Sequence, residues 1–565
     1  MVSQSPLSAK SARLWLWVAA GILGWLFVLT RCWRNPYADL VLRNGVVYTG
    51  NPSKPNAEAV AIRGDRILLV GKNQDVDRFI GSRTQVRDLK GRFVCAGFND
   101  AHVHLTSGGK VSTELDLGGL TTIEEIQSRI LKKVWTLPPG TWLVGRGWDQ
   151  SLFAGGAWPN KRMLDIIAPD VPILLFRVCG HAALVNSKAL SIAGIATGIP
   201  NPPSGEIVRD PSSGEPTGIL KEEAIKLVSQ YIPTLSREGM EQAVLNALDA
   251  LRKYGITSVQ DDSPEEVISV YEKFLAAGRL TCRISLWHPL NANPERYNRT
   301  LNRFRRPYLQ FGLLKAVLDG SAGARTAFFM KPYDDDTTTR GISLLTQEEL
   351  NLLVLRADRS GFQIGLQAIG DEANRMALTA FALARQVNGA RDLRHRIEHA
   401  QVLSERDLPR LAELGIVASM QPVHCIEDIR WIEACIGSAR SRYAYAWRSL
   451  LKSGTVLAFG SDWPYAPLNP IVGIYAAVTR RDTLGQPSAG FVPQERITVQ
   501  EAIDAYTKGS AYAERMENEK GTIEKDKLAD LVVLDQNLLG IPPRQILKTL
   551  VTMTVCAGKI VYESR

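Results

Sequence analysis

The chain has 565 residues, 45% of them apolar and 22% charged, with a net charge of +9. This ordinary globular composition on so long a chain excludes a single compact core and calls for two or more domains. Lys10, Arg13, Arg31 and Arg34, with no acid, account for four of those charges in the first 34 residues and leave a mild +5 for the rest. No nucleic-acid motif surrounds the densest basic run, Arg303-Phe304-Arg305-Arg306, so nucleic acid is not an expected partner.

The first predicted element is a membrane segment. Leu14 to Thr30, "LWLWVAAGILGWLFVLT", is a run of seventeen uncharged, mostly apolar residues. As a helix it reaches ~25 Å at ~1.5 Å per residue, enough for a thin bilayer. The competing reading is a cleaved signal peptide. The run ends in Thr30-Arg31-Cys32-Trp33, however, without the small-x-small pattern of a cleavage site. We therefore expect an uncleaved single-pass anchor and a membrane location. The flanking charges are nearly balanced and favour neither orientation.

Short strands follow. "ADLVLRNGVVYTG" sets Asn44-Gly45 between two apolar runs, which predicts a hairpin, and "EAVAIRGDRILLVG" repeats the pattern around Gly64-Asp65. The far end of the chain, "KLADLVVLD" and "VTMTVCAGKIVYE", has the same character. One small β domain built from both ends is the economical reading.

Between the ends, apolar runs alternate with amphipathic helical patterns, which argues for a parallel sheet with helices outside. There are nine candidate runs. The second, "PILLFRVCGH", sits in a Pro-, Gly- and Trp-rich segment, roughly 105 to 240, that reads as an insertion. Removing it leaves the eight strands of a closed barrel, whose chemistry belongs at the C-terminal strand ends.

Polar residues gather at those ends. The first run, "GFNDAHVH", carries His102 and His104. Residues i and i+2 of a strand share a face, so two imidazoles can converge on one ion at ~2.0–2.1 Å; the alternative is two polar residues ending a strand. Lys315 lies inside the apolar fourth strand, "GLLKAVLDG". It either pairs with a carboxylate or is carbamylated and bridges metals. Asp149 of "GRGWDQ" either caps and pairs locally or serves the site. Trp148, Trp158 and Trp463 either line a pocket or pack, and His424 is a pocket residue or a satisfied loop histidine. The seven cysteines form no C-x-x-C pair, which excludes a zinc knuckle and a disulfide framework. No G-x-S-x-G elbow supports a serine nucleophile.

Taken in order, "GFNDAHVH", "GRGWDQ", "GHAALVNSKAL", "KAVLDGSAGARTA", "AIGDEAN", "RHRIEHAQ", "SMQP" and "FGSDWP" resemble the amidohydrolase superfamily. The likeness is closest to the branch called amidohydrolase family 3, metal-dependent hydrolases similar to N-substituted formamide deformylases. The resemblance implies an α/β fold: a TIM-like (β/α)8 barrel with a β-sandwich made from both chain ends. On that basis residues 1–34 are tail and anchor, 38–95 and 516–565 are the two parts of the sandwich, and 96–515 are the barrel with its insertion at 105–240. The resemblance also implies that His102, His104, Lys315, His399 and Asp462 are metal ligands. Asp462 is in addition the general base, and His181 and Asp319 contact substrate. One position departs from the pattern: Gln367 stands before "AIGD" where the family has histidine. A neutral amide is a poor ligand for zinc, so one divalent ion, zinc, is favoured over two.

The expected activity is metal-dependent hydrolysis of a non-peptide, amide-type C–N bond in a small molecule. The alternative, a catalytically weakened regulatory or binding member of the same fold, rests on Gln367. Oligomerisation is left open.

Overall fold

The computed structural model describes residues 37–564 except 112, 292, 299–303, 305 and 306. The expected anchor, Leu14 to Thr30, and all of the basic run but Phe304 lie outside the described residues. Among the described residues no helix is long and apolar enough to cross a membrane.

Eight parallel strands form the central barrel: β1 (Phe98–Val103), β2 (Ile256–Asp261), β3 (Arg283–Pro289), β4 (Leu309–Val317), β5 (Ile364–Ala368), β6 (Arg396–His399), β7 (Val417–Met420) and β8 (Leu457–Phe459). They follow the eight apolar runs left after removal of the insertion. Each strand pairs with the next in order, and β1 pairs with β2. A bridge between Val103 and Trp463 closes the ring, supported by Asp462 N donating to His102 O at 2.7 Å and His104 N donating to Trp463 O at 2.9 Å. The strands are covered on both faces, so most of them read as apolar runs, while β1 and β6 bury polar and charged residues as well.

The barrel interior also holds charge. Arg396 on β6 is fully buried and donates to both carboxylate oxygens of Glu398 at 2.6 and 3.0 Å, to Ala101 O, to Ser419 Oγ and to Gln260. A buried guanidinium is tolerated only when its donors are satisfied in this way. The network ties β1, β2, β6 and β7 together directly beneath the site.

Two sheets share a second core. One holds Leu40–Arg43, Ala59–Arg63, Arg66–Gly71 and Gln85–Asp88; the other holds Val46–Tyr48, Asn56–Ala57, Phe93–Ala96 and three C-terminal strands, Leu531–Leu534, Val551–Cys556 and Lys559–Glu563. Their facing residues, among them Leu42, Val60, Val94, Leu531 and Val555, bury one another. The turn at Gly64-Asp65 is a hairpin, with Gly64 at φ +61°. The expected hairpin at Asn44-Gly45 is not one. Leu40–Arg43 pairs with Ala59–Arg63 and Gln85–Asp88, whereas Val46–Tyr48 pairs with Phe93–Ala96 and Asn56–Ala57. The two runs therefore enter different sheets, and Asn44, at φ +56°, turns the chain across the sandwich instead of back on itself. The first-strand run "FVCAGFNDAHVH" is likewise divided. Phe93–Ala96 belongs to the sandwich and Phe98–Val103 to the barrel. Gly97 between them leaves no room for a side chain, because a Cβ there would collide with Thr257.

The insertion folds as a six-stranded sheet running from Leu115–Asp116 to Pro216–Glu222, with its own cores. Barrel β2 follows it, after the helix Arg237–Lys253.

Candidate active site

The C-terminal ends of the barrel strands and the insertion enclose a cavity of about 990 Å³. His104, His399, His424 and Asp462 line it, and the fully buried His102 lies beside them. Two of these residues reach their places through rare backbone geometry. His399 has φ +71° and Asp462 has φ +59°, the left-handed region that non-glycine residues seldom adopt and that concentrates at functional sites. On β6 the alternation puts Arg396 and Glu398 inside the barrel, and the left-handed turn at His399 delivers its ring to the cavity.

The side chains form two triads that share Asp462: His102, His104, Asp462 and His399, His424, Asp462, with the ligand atoms of each within 4.8 Å of one another. His104 Nε2 is 3.2 Å and His102 Nε2 3.5 Å from Asp462 Oδ1, and His424 Nε2 is 3.6 Å from Oδ2. Ligands ~2.0–2.2 Å from one tetrahedral ion stand ~3.3–3.6 Å apart, so the spacing fits a metal better than direct hydrogen bonding. His102 Nε2 and Asp462 Oδ1 are both buried with no hydrogen-bond partner, the arrangement expected where an ion is the missing partner.

Each outer ring nitrogen is fixed. His102 Nδ1 lies 3.0 Å from Glu398 Oε2, His104 Nδ1 2.9 Å from Asp262 O, and His399 Nδ1 2.7 Å from Gln421 Oε1. All three partners accept, so Nδ1 carries the proton and Nε2 offers its lone pair inward. Burial holds the His102 imidazole well below its ordinary range, with Lys315 adding to the effect, and burial brings His399 to about 4. Burial also lowers His424. Burial opposes charge on Asp462 too, but His102, hydrogen bonding from His104, and His399 outweigh it and hold the carboxyl well below the usual range. Burial opposes charge on His104 as well, but the hydrogen bond to Asp462 and the charge of Asp262 outweigh it and raise that imidazole above its ordinary range, so the site sets the lowered imidazoles of His102, His399 and His424 beside an ionised carboxylate.

Other expected site residues fall elsewhere. Trp148 does not line the cavity. It is 1% exposed in the insertion core, donates from Nε1 to Leu175 O at 2.7 Å and packs edge-on against Trp158. Its apolar bulk is worth more buried there than exposed. Asp319 is fully buried and spends its carboxylate on backbone, accepting from Ile369 N, Gly370 N and Phe328 N at 2.8–2.9 Å. It clamps the turn after β5 and is not left free for substrate. Asp149 lines the cavity, but its carboxylate accepts from Arg177 at 2.9 Å, Ser151 N at 3.0 Å and Arg430 at 3.2 Å. Lys315 shows the paired arrangement, with Nζ 3.4 Å from Asp262 Oδ2 and 5.0 Å above the Trp287 ring. Gln367 faces the cavity, and its Nε2 is 3.3 Å from Asp319 O and 3.4 Å from His181 Nε2.

The insertion contributes His181, whose Nδ1 is 3.0 Å from Glu222 Oε2. Glu222 has φ +49° and ψ −127°, a strained conformation for a residue with a side chain. A Cβ at Gly320 would overlap its carboxylate, so the glycine there makes room for the pair. Burial opposes charge on His181, but Glu222 wins and raises the imidazole to about 9. A raised histidine adds stability that is complete below its unfolded value, 6.5, and lost as the pH climbs through about 9. Glu222→Gln should therefore flatten the fall in melting temperature between pH 6.5 and 9. An unchanged pH dependence in thermal melts would remove Glu222 as the cause.

Glu398 ends the sixth run beside His399, but nothing in the sequence joined it to His102, and Arg396 stood in the open in "RHRIEHAQ", two residues before Glu398 and so on one strand face. Gln421 lay in "SMQP". Nothing local pointed to Glu222, which is separated from His181 by 41 residues.

Residues 85–562 match the amidohydrolase family. The protein LONG AFTER FAR-RED 3 of Arabidopsis thaliana is 35% identical over 514 residues, 88% of each chain. The N-substituted formamide deformylase of Arthrobacter pascens is 28% identical over 93% of this chain and 98% of its own. An uncharacterized metal-dependent hydrolase from Pyrococcus furiosus, solved by crystallography, superimposes with a TM-score of 0.69 at 30% identity, covering 88% of this chain and 99% of that one.

Proposed function

The chain belongs to the amidohydrolase family and is a metal-dependent hydrolase of carbon–nitrogen bonds; from that premise we propose that it cleaves a non-peptide, amide-type bond of a small molecule, with Asp462 as general base. The observation that carries this reading is the buried Asp462 carboxylate on which the inward ring nitrogens of His102, His104 and His424 converge at 3.2–3.6 Å, with His399 in the same cluster. His102, His104 and Asp462 would hold a divalent ion, and three N/O ligands with an open position suit catalytic zinc. Such an ion acidifies water and polarises a carbonyl when bound.

The protein's own residues account for the rest. Asp462 accepts the proton of the attacking water and passes it to the leaving nitrogen, so water and amide become acid and amine. Glu398, itself held by Arg396, keeps His102 in the one tautomer that presents Nε2. His181 and Gln367 line the same cavity and are within reach of a substrate bound there.

The name of the Arthrobacter pascens relative supports N-formyl and N-acyl amines as the first substrates to offer. Release of free amine from such a panel by metal-loaded protein is the expected outcome. A protein that binds metal yet releases amine from none of them would favour the regulatory reading. Against that reading stand the ordered imidazoles and the ionised base, which a binding module does not need.

The N-terminal segment is proposed as a membrane anchor, supported by its seventeen uncharged residues. Full-length protein should sediment with membranes, and a chain starting at residue 35 should stay in the aqueous fraction. Full-length protein in that fraction, with its N-terminus intact, would contradict the anchor.

A further inference from the structure

We propose that the barrel holds a second cation, seated by His399 and His424 and sharing Asp462 with the first, so that β7 supplies the ligand that Gln367 on β5 cannot. The inference rests on the metal-dependent reading of this site and goes on to its ion count, which the sequence alone put at one.

Four observations carry it. First, the Asp462 carboxylate is divided. Oδ1 faces His102 and His104, at 3.5 and 3.2 Å, and Oδ2 faces His424, at 3.6 Å. A carboxylate presenting one oxygen to each of two nitrogen sets can bridge two ions, as two-metal hydrolase sites do at ~3.5–4 Å separation. Second, the tautomer of His399 is fixed. Nδ1–H donates to Gln421 Oε1, 2.7 Å away, which leaves Nε2 unprotonated toward the cavity. Third, the His399 and His424 rings lie stacked, 5.8 Å between centroids and 16° from parallel, and a nitrogen of each lies within 4.8 Å of the other and of an Asp462 oxygen. Fourth, His399, His424 and Asp462 all line the cavity, so an ion seated there is reachable by substrate.

Gln367 is otherwise engaged. Its amide nitrogen lies 3.3 Å from Asp319 O and 3.4 Å from His181 Nε2. The fifth-strand position therefore works on the insertion side of the site. Among the described residues no second carboxylate joins either triad. Two ions thus divide one negative charge, and the second is held more weakly than the first.

The test is ion stoichiometry, with no substrate required. Purified protein stripped of metal is dialysed against a rising series of free Zn²⁺ concentrations, and bound zinc is measured by elemental analysis. The wild type should bind two ions per chain in two steps, the second at least tenfold weaker. His424→Ala should lose the weaker step and keep the tighter one. His104→Ala should weaken the tighter step and keep the other. Titration with Co²⁺, read by its visible absorption, reports the two environments separately, and His424→Asn repeats the test should the alanine variant fold poorly. A wild-type plateau at one ion, unchanged by His424→Ala, would overturn the second seat and leave the metal-dependent reading intact. A gain of a second ion only in Gln367→His would overturn it as well, by returning that seat to β5. No zinc bound at all would overturn both.

Discussion

Asp462→Asn is expected to cut turnover by about 10²–10⁴-fold, the usual contribution of a positioned general base, while leaving the fold in place. The substitution keeps size and shape. Asparagine tolerates the left-handed backbone nearly as well as aspartate, so φ +59° adds no strain. The amide N–H of residue 462 continues to donate to His102 O, the contact that helps close β8 onto β1. What disappears is the charge that both imidazole sets surround. An amide oxygen can still approach an ion, but it cannot take a proton from water. Unchanged melting temperature with nearly abolished amine release is the expected pair of results. A variant that keeps most of its activity on a verified substrate would remove Asp462 from the mechanism.

Deleting residues 527–565 should prevent the chain from folding. The deletion removes Leu531–Leu534, which pairs with Phe93–Ala96 in the register Leu531↔Ala96 to Leu534↔Phe93, together with the two strands beyond it. It takes away Leu528, Leu531, Val532, Val533, Leu534, Leu538, Ile546, Val551, Met553 and Val555, all at most 8% exposed. At ~1.5 kcal/mol or more for each buried side chain, the loss is roughly 15 kcal/mol, as large as the whole stability of a typical domain, ~5–15 kcal/mol. The damage does not stay in the sandwich. Val532 and Leu534 pack in the barrel core. Asp530 accepts from the buried Arg283 of β3 at 2.6 and 3.0 Å, and breaking such a pair from one side costs about 3–5 kcal/mol more. The expected result is loss of the cooperative melting transition. A truncated protein that melts like the full chain would show the two ends to be independent.

Most of the barrel strands were legible because they are buried on both faces and read as apolar runs; β1 and β6, which carry Asn99, Asp100, His102, Arg396 and Glu398, were legible from their motifs instead. The His102–His104 pair was legible because spacing along a strand is local. What crosses the barrel was not. His102 takes its orientation from Glu398, 296 residues away, and no periodicity joins them. Asn44-Gly45 has hairpin composition, but a two-residue turn does not say whether the second strand returns to the first or joins another sheet. Trp148 and Asp319 have the residue types of a binding site, and only packing reveals that one fills the insertion core and the other clamps a backbone turn. His424 posed the reverse difficulty: as a lone histidine after β7 it gave no sign of facing Asp462.

The central claim is that this cavity hydrolyses a carbon–nitrogen bond through a metal bound by its histidines and Asp462. Its most direct test is amine release from an N-formyl or N-acyl amine panel by the same protein as purified, after chelator stripping, and after zinc is restored. Release should fall to background with the metal and return in proportion to the zinc bound. Full release from protein shown to be metal-free would contradict it.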